Sequence, residues 1–232
     1  KAEMEEHGRR YNPCGEYTGD DNEKHYYADQ TDNYLQKNYQ LLFNHTFSTS
    51  WNLNLALHYT KSDGYYEEYK EDRSFLEYGL KPFTTDGKEI SESDLVRQKK
   101  MDNKFGGGVF SLNYTNHRLT ASLGGGINQY RGNNFGKVTW VKNYIGTLDP
   151  DKDYYRNNAT KNDGNLYLKA DYELCDGLNA YADLQYRHIS YKMYGQNDKW
   201  NSVTGDGLQQ LAIHEKFDFF NPKAGLSWQI NR

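Results

Sequence analysis

Side chains able to hold a flat ligand recur in and beside three polar stretches of the chain. Tyr65, Tyr66 and Tyr69 belong to the first, Trp140, Tyr154 and Tyr155 to the second, and Tyr191, Tyr194 and Trp200 to the third. Each ring offers a broad apolar face with a polar edge, so the set could stack on a sugar, a haem or an aromatic siderophore. Arg131, Lys142, Arg156 and Lys192 lie among them and would draw an anionic ferric chelate by focusing charge. The competing reading of each ring is an interfacial girdle or packing between loops, and exposed cations are ordinarily just solvated.

Covalent and metal chemistry find less support. The acidic run Asp20, Asp21 and Glu23 lacks the Gly and terminal Glu of a calcium loop. Gly106 to Gly108 and Gly124 to Gly126 precede no Gly-Lys-Ser/Thr and no helix, so they do not read as phosphate loops. They are expected to lie nearly opposite each other in a hairpin, within two residues of register. Bare backbone there would let the sheet twist, or let a large side chain lie flat across it. His45 and His58 fall on different faces by parity. Cys14 and Cys175 have neither zinc nor disulfide-framework spacing, and the architecture below sets them at opposite ends. No cofactor, no metal site and no acid, base and nucleophile set is expected, and the chain is not expected to be an enzyme.

The elements that must carry these residues are strands. Of 232 residues, 22 are Tyr, 10 Phe and 4 Trp, against only 4 Pro, a composition suited to sheets and interfaces. No run of about 18 apolar residues exists, which excludes a membrane helix but not barrel strands, whose apolar residues hide in alternation. A balance of 28 Lys+Arg against 32 Asp+Glu gives no basic footprint for nucleic acid. Lys1 to Arg10 are charged and carry no targeting segment, so an exported chain is expected to be an internal piece.

Alternation is countable. Leu35, Tyr39, Leu41, Phe43 and Phe47 share one face, and after a break at Ser48 to Ser50 the pattern resumes as Trp51, Leu53, Leu55, Leu57 and Tyr59. Phe110, Leu112 and Tyr114 return as Leu119, Ala121, Leu123 and Ile127. Leu166 to Leu174 return after a Cys175-Asp176-Gly177 turn as Leu178 to Tyr186, and Ala224, Leu226, Trp228 and Ile230 make a last strand. The fold class is all-β, an antiparallel up-and-down meander of about seven strands.

Strands of roughly a dozen residues then leave Lys61 to Met101, Gly132 to Asp163 and Gly195 to Gln210 as long polar loops at one end, with short turns at the other. That asymmetry, the charged set Lys169, Asp171, Asp183 and Arg187 opposite the apolar face, and the rim aromatics Phe47, Trp51, Tyr114, Tyr172 and Trp228 favour a partial transmembrane β-barrel, greasy side to lipid. A soluble sandwich that binds carbohydrate, and a passive or adhesive membrane barrel, are the alternatives.

Particular strings sharpen the reading. Tyr11-Asn12-Pro13-Cys14-Gly15-Glu16-Tyr17, Gln30-Thr31-Asp32-Asn33-Tyr34, Leu57-His58-Tyr59-Thr60, Gly64 to Lys70, Trp140 to Tyr144, Leu184 to Ile189 and Asn221 to Leu226 occur in order along the chain. In order and extent they resemble the barrel of TonB-dependent outer-membrane receptors of Bacteroidetes-type bacteria. The resemblance implies a barrel of twenty-two strands, a separate plug, and TonB-driven import of a scarce nutrient such as a ferric siderophore, haem, vitamin or glycan. Neither plug nor TonB box is recognisable here, so about a third of such a barrel is expected: residues 1–33 as an outer loop, then 34–232 as hairpins. The implied partners are nutrient, outer-membrane lipid, plug and TonB complex, with the cell outer membrane as location.

Overall fold

The computed structural model of the protein describes residues 2–9, 15–29 and 32–230. A short helix α1 (Ala2–His7) and a hairpin of β1 (Glu16–Thr18) and β2 (Lys24–Tyr26) come first. The strands β3 (Asp32–Thr46) and β4 (Trp51–Ser74) follow. A small hairpin of β5 (Phe83–Thr85) and β6 (Lys88–Ile90) leads to β7 (Glu92–Thr115), β8 (Leu119–Val141), β9 (Tyr155–Cys175), β10 (Leu178–Trp200) and β11 (Leu208–Trp228). The long strands form one seven-stranded antiparallel sheet in the order β11-β10-β9-β8-β7-β4-β3. With the two small hairpins set aside, this is the expected meander.

Strand length departs from expectation. β3 has 15 residues and the other six have 21 to 24, so most of the three stretches read as loop is strand. The reason is that residues beyond the apolar segments are polar on both faces. The hydrophobic period vanishes there, while backbone ladders and polar cross-strand pairs continue.

Short turns close one end. Between β3 and β4 the Ser48 hydroxyl accepts from the N–H groups of Ser50 and Trp51, both at 3.2 Å. Between β7 and β8 the Asn116 carboxamide oxygen accepts from the N–H groups of Arg118 (2.9 Å) and Leu119 (2.8 Å). Between β9 and β10, Gly177 takes a φ of +76°, which a side chain resists, and a bulge follows.

Residues directly opposite across strands share a face, so register sorts the sheet. Leu53, Leu112, Leu123, Leu168 and Leu184 are successive partners across five strands. Among the described residues no element packs over them, and Leu123, Leu168 and Leu226 are 39, 48 and 71 % exposed. Trp51 and Tyr114 meet at 4.7 Å near the short turns, as the rim reading expects. The apolar band spans Trp51–Tyr59 on β4 and Leu178–Tyr186 on β10. Register aligns Trp51 with Ala182, so the band drifts four residues over four strand steps. Tilted barrel strands demand a drift of this kind.

The opposite face is hydrogen-bonded and charged. Asn54 donates to Ser111 (3.2 Å), Ser122 donates to Asn113 (2.7 Å), and Arg187 holds Asp163 (2.9 Å). His45 pairs with Leu53 and His58 with Gln40, on different faces as parity required. Cys175 is an exposed free thiol, whereas Cys14 and the Tyr11-to-Cys14 string lie outside the described residues.

The glycine triplets correct one expectation. Gly107 pairs with Asn128 and Gly125 with Phe110, so the triplets are staggered by three residues although the hairpin itself stands. The Asn116 cap centres the turn one residue later than expected, which moves the register by two. Bare backbone still serves a large neighbour, since the Tyr167 ring lies where a Cβ on Gly124 would project.

Candidate functional site

The buried side chains gather at the end away from the short turns. Phe75, Tyr78, Leu95, Val138, Val141, Tyr154 and Tyr155 form the core cluster. The chain reaches it through a 3-10 turn, Phe75–Tyr78, stopped by Gly79 at a φ of +62°. β5 and β6 are joined through Asp86 and Gly87, both at positive φ (51° and 74°), the type I′ geometry that Asp-Gly favours. Phe75 meets Tyr144 edge to face at 5.5 Å, and Tyr78 meets Tyr154 at 4.7 Å. A cleft of about 490 Å³ opens between residues 78–83 and 144–154.

One cation anchors this cluster to the sheet. The Arg97 guanidinium binds Glu68 through two nitrogens, at 3.0 and 2.9 Å, and donates to the Tyr78 hydroxyl at 3.1 Å. Lys70 lies 3.3 Å from the same carboxylate. Burial pushes the Glu68 carboxyl up, but the Arg97 and Lys70 charges outweigh it and hold the group below the usual carboxylate range. Burial raises the Tyr78 and Tyr154 phenols. Because the folded Glu68 value is depressed, its contribution to stability is complete above the unfolded value, about 4.3, and is lost as pH falls through the lower folded value. The protection factors of residues 75–91, exchange rates taken relative to the intrinsic rate at each pH, are therefore expected to stay constant from pH 7 to about 5 and to fall below about 4.

The expected ligand-facing residues do not form one group. Tyr65, Tyr69, Arg131, Trp140 and Tyr194 lie on the face that bears the apolar band, beyond the band itself. There Tyr69 packs 4.3 Å from Tyr17 and 6.1 Å from both Tyr27 and Trp140, and its hydroxyl donates to Asp94 at 2.7 Å. The β1–β2 hairpin thus lies over Tyr69. Tyr65 stacks under the Lys100 ammonium at 4.9 Å.

On the polar face stand Tyr66, Tyr155 and Tyr191. Tyr66 is 40 % exposed, with the Lys99 ammonium 5.9 Å from its ring centre. Tyr154 and Tyr155 are buried in the core cluster, and Trp200 pairs with Leu208 beyond a bulge at the end of β10. Tyr34 and Tyr130 share the polar face with Tyr66, and Tyr130 donates to Asn103 at 3.0 Å. These two, with Arg97 and Lys99, were not singled out from sequence. Parity counted from Tyr66 reaches Gly64, whose ladder partner is Tyr34 on the same face.

The four expected anion-attracting cations are also dispersed. Arg131 and Lys192 lie on the apolar-band face. Lys142 reaches Asp20 (2.7 Å) and Asp94 (3.5 Å), and Arg156 donates to Asp153 (2.7 Å) above the Phe135 ring. In the outer half of the polar face five cations are already matched. Arg97 and Lys70 share Glu68, Lys99 binds Asp198, and Lys161 and Arg187 share Asp163. Asp21 accepts from the Glu23 N–H and pairs with His25 (2.9 Å), and the described residues hold no group of three metal-ligating side chains.

A family model described as "TonB dependent receptor-like, beta-barrel" matches residues 5–232. No curated protein sequence matches the chain. The crystal structure of the ferric-catecholate import receptor Fiu from E. coli K12, in its open form, superposes with a TM-score of 0.60 at 10 % identity. The match covers 89 % of this chain and 35 % of Fiu, so the chain spans about a third of that receptor's length. The outer membrane protease OmpT from Escherichia coli matches at a TM-score of 0.33 and 11 % identity, over 83 % of this chain and 62 % of OmpT. At these identities the similarity to Fiu speaks for the fold alone.

Proposed function

The chain belongs to the TonB-dependent receptor-like β-barrel family, and from that premise we propose that it is a section of an outer-membrane receptor that captures a scarce nutrient for energised import. In this reading the apolar band faces lipid and the hydrogen-bonded face lines the lumen, where a plug sits. The free edges of β3 and β11 pair with the remaining strands of the wall, which removes an exposed ladder. The family is one of receptors, and the protein's work is recognition and passage, with the TonB complex supplying the energy and no covalent step.

The observation that carries the ligand class is charge matching on the lumenal face. A ferric catecholate, the cargo in Fiu's name, is an anion and calls for unpaired cations, whereas here each cation of the outer lumenal wall named above holds a carboxylate. What stays open is Tyr66, exposed beside a half-buried wall of Asn and Tyr that includes Asn103, Tyr130 and Asn134. Flat rings beside amide groups suit a neutral, hydroxyl-rich ligand of the oligosaccharide class.

The test is calorimetry on the full-length receptor with neutral oligosaccharides and ferric catecholates as probes. Oligosaccharide binding is expected, and Tyr66→Ala should weaken it about tenfold, while Tyr65→Ala, on the opposite face, should leave it unchanged. Tight binding of a ferric catecholate alone, or a larger loss at Tyr65 than at Tyr66, would refute the assignment.

A further inference from the structure

The apolar band ends on β4 at Tyr59 and on β7 at Gly106, and the next residues on that face are Lys61 and Lys104. Register makes these two direct partners, and extends the row to Lys37 on one side and Arg131 on the other. Four cations thus stand side by side across four strands. All four are exposed, and among the described residues none has an ion pair or a side-chain hydrogen bond. Like charges directly opposite on a sheet repel, so a row of four is a liability unless something anionic lies against it.

Among the described residues no carboxylate pairs with the row, although Asp102 lines a neighbouring hollow together with Lys104 and Arg131. Asp63 and Asp102 occupy the next row outward on the same face, farther from the band, and neither comes within 4.0 Å of the cationic nitrogens. Between Lys104 and Arg131 the surface sinks into a hollow of about 350 Å³, walled by Tyr59 and Gln129 and floored by the bare backbone of Gly106. The hollow lies where lipid tails give way to headgroups, so its ligand approaches from within the leaflet, and the long Lys and Arg stems can reach toward that boundary.

We propose that Lys37, Lys61, Lys104 and Arg131 bind the phosphate of an anionic lipid headgroup, with Lys104 and Arg131 as the central pair. The proposal rests on the reading of this face as lipid-facing. Arg131 offers a planar fork that matches phosphate oxygens, and the lysines add point charge. Gly106 leaves room for the headgroup where a side chain would fill the hollow. The site is separate from nutrient capture, being on the other side of the wall.

Native mass spectrometry of the full-length receptor, released from bilayers of phosphatidylcholine and phosphatidylglycerol, tests this directly. Phosphatidylglycerol adducts are expected to be retained at least tenfold over phosphatidylcholine. Each charge removed by Lys61→Gln, Lys104→Gln or Arg131→Gln should lower that preference about fivefold, and the triple variant should abolish it. Lys61→Arg/Lys104→Arg keeps charge and should keep the preference, which guards against a triple variant that fails to fold. Equal retention of the two lipids, or a preference unmoved by the single variants, overturns the proposal. Displacement of phosphatidylglycerol by millimolar inorganic phosphate would also overturn it, by showing a site for free anions. A receptor that does not enter bilayers at all would instead refute the membrane reading beneath it.

Discussion

Replacing Gly125 with valine (Gly125→Val) is expected to prevent the folded protein from accumulating. A Cβ at Gly125 would project onto the Asn165 carbonyl oxygen and come within 3.3 Å of the Leu166 Cα, both backbone atoms of the neighbouring strand. Backbone cannot turn aside as a flexible side chain can, so β8 and β9 would have to separate at mid-strand. The cost is set at about 3 kcal/mol or more, the upper range for overpacking, because a ladder and not a rotamer must yield. Gly164→Ala is the control in the same sheet. A Cβ there meets only the Ile127 Cγ2 at 3.7 Å, an ordinary contact, and alanine restricts the unfolded chain more than glycine does. That variant should fold as well as the parent or better, by up to about 1 kcal/mol. Heat-modifiable gel mobility of the full-length receptor reads both outcomes. Normal assembly of Gly125→Val would mean that β8 and β9 are not packed in this register.

The second large effect concerns Arg97. Arg97→Met removes the partner of a carboxylate whose side chain is only 16 % exposed, and also the donor to the Tyr78 hydroxyl. Breaking a buried pair from one side typically costs about 3 to 5 kcal/mol, and residual solvent contact and Lys70 place this one near 3. The loss should be local: residues 75–91 and 142–154 should exchange amide hydrogens faster while the strands near the short turns do not change. Replacing both partners, as Arg97→Met/Glu68→Met, should restore most of the protection, because no charge is then stranded. A double variant as labile as the single one would show that hydrogen bonding to Tyr78, and not charge pairing, carries the anchor.

What could be read from sequence follows where the two faces differ in polarity. Seven strands and the rim aromatics are visible because Leu53, Leu123 and Leu168 alternate with Asn, Ser and Lys. The extensions are silent because Lys61, Asp63 and Tyr65 alternate with Thr60, Ser62 and Gly64, polar or neutral on either side. The stagger of the glycine triplets depended on one side chain, Asn116, whose cap shifts the turn centre by a residue. The Arg97 anchor could not be read at all. Arg97 and Glu68 are direct partners in the β4–β7 ladder, but that register lies in the polar extensions where no apolar alternation marks it, and Glu68 and Tyr78 are 29 and 19 residues away in sequence. Among the aromatics, Tyr65 and Tyr66 are neighbours in sequence and so necessarily project to opposite sides of the wall, which composition alone does not distinguish.

The one-residue drift of the apolar band per strand fixes an inclination. A rise of about 3.3 Å along the strand for every 4.8 Å across the sheet corresponds to ribs leaning roughly 35° from the pore axis. β4 continues for 15 residues past Tyr59, and at that lean its tip is carried sideways by about 28 Å, roughly five strand spacings around the wall. The loop at residues 75–91 therefore overhangs a different sector of the circumference from the one where its own strands leave the bilayer. Lesions at the mouth and at the root of the same hairpin act on distinct compass points of the barrel wall.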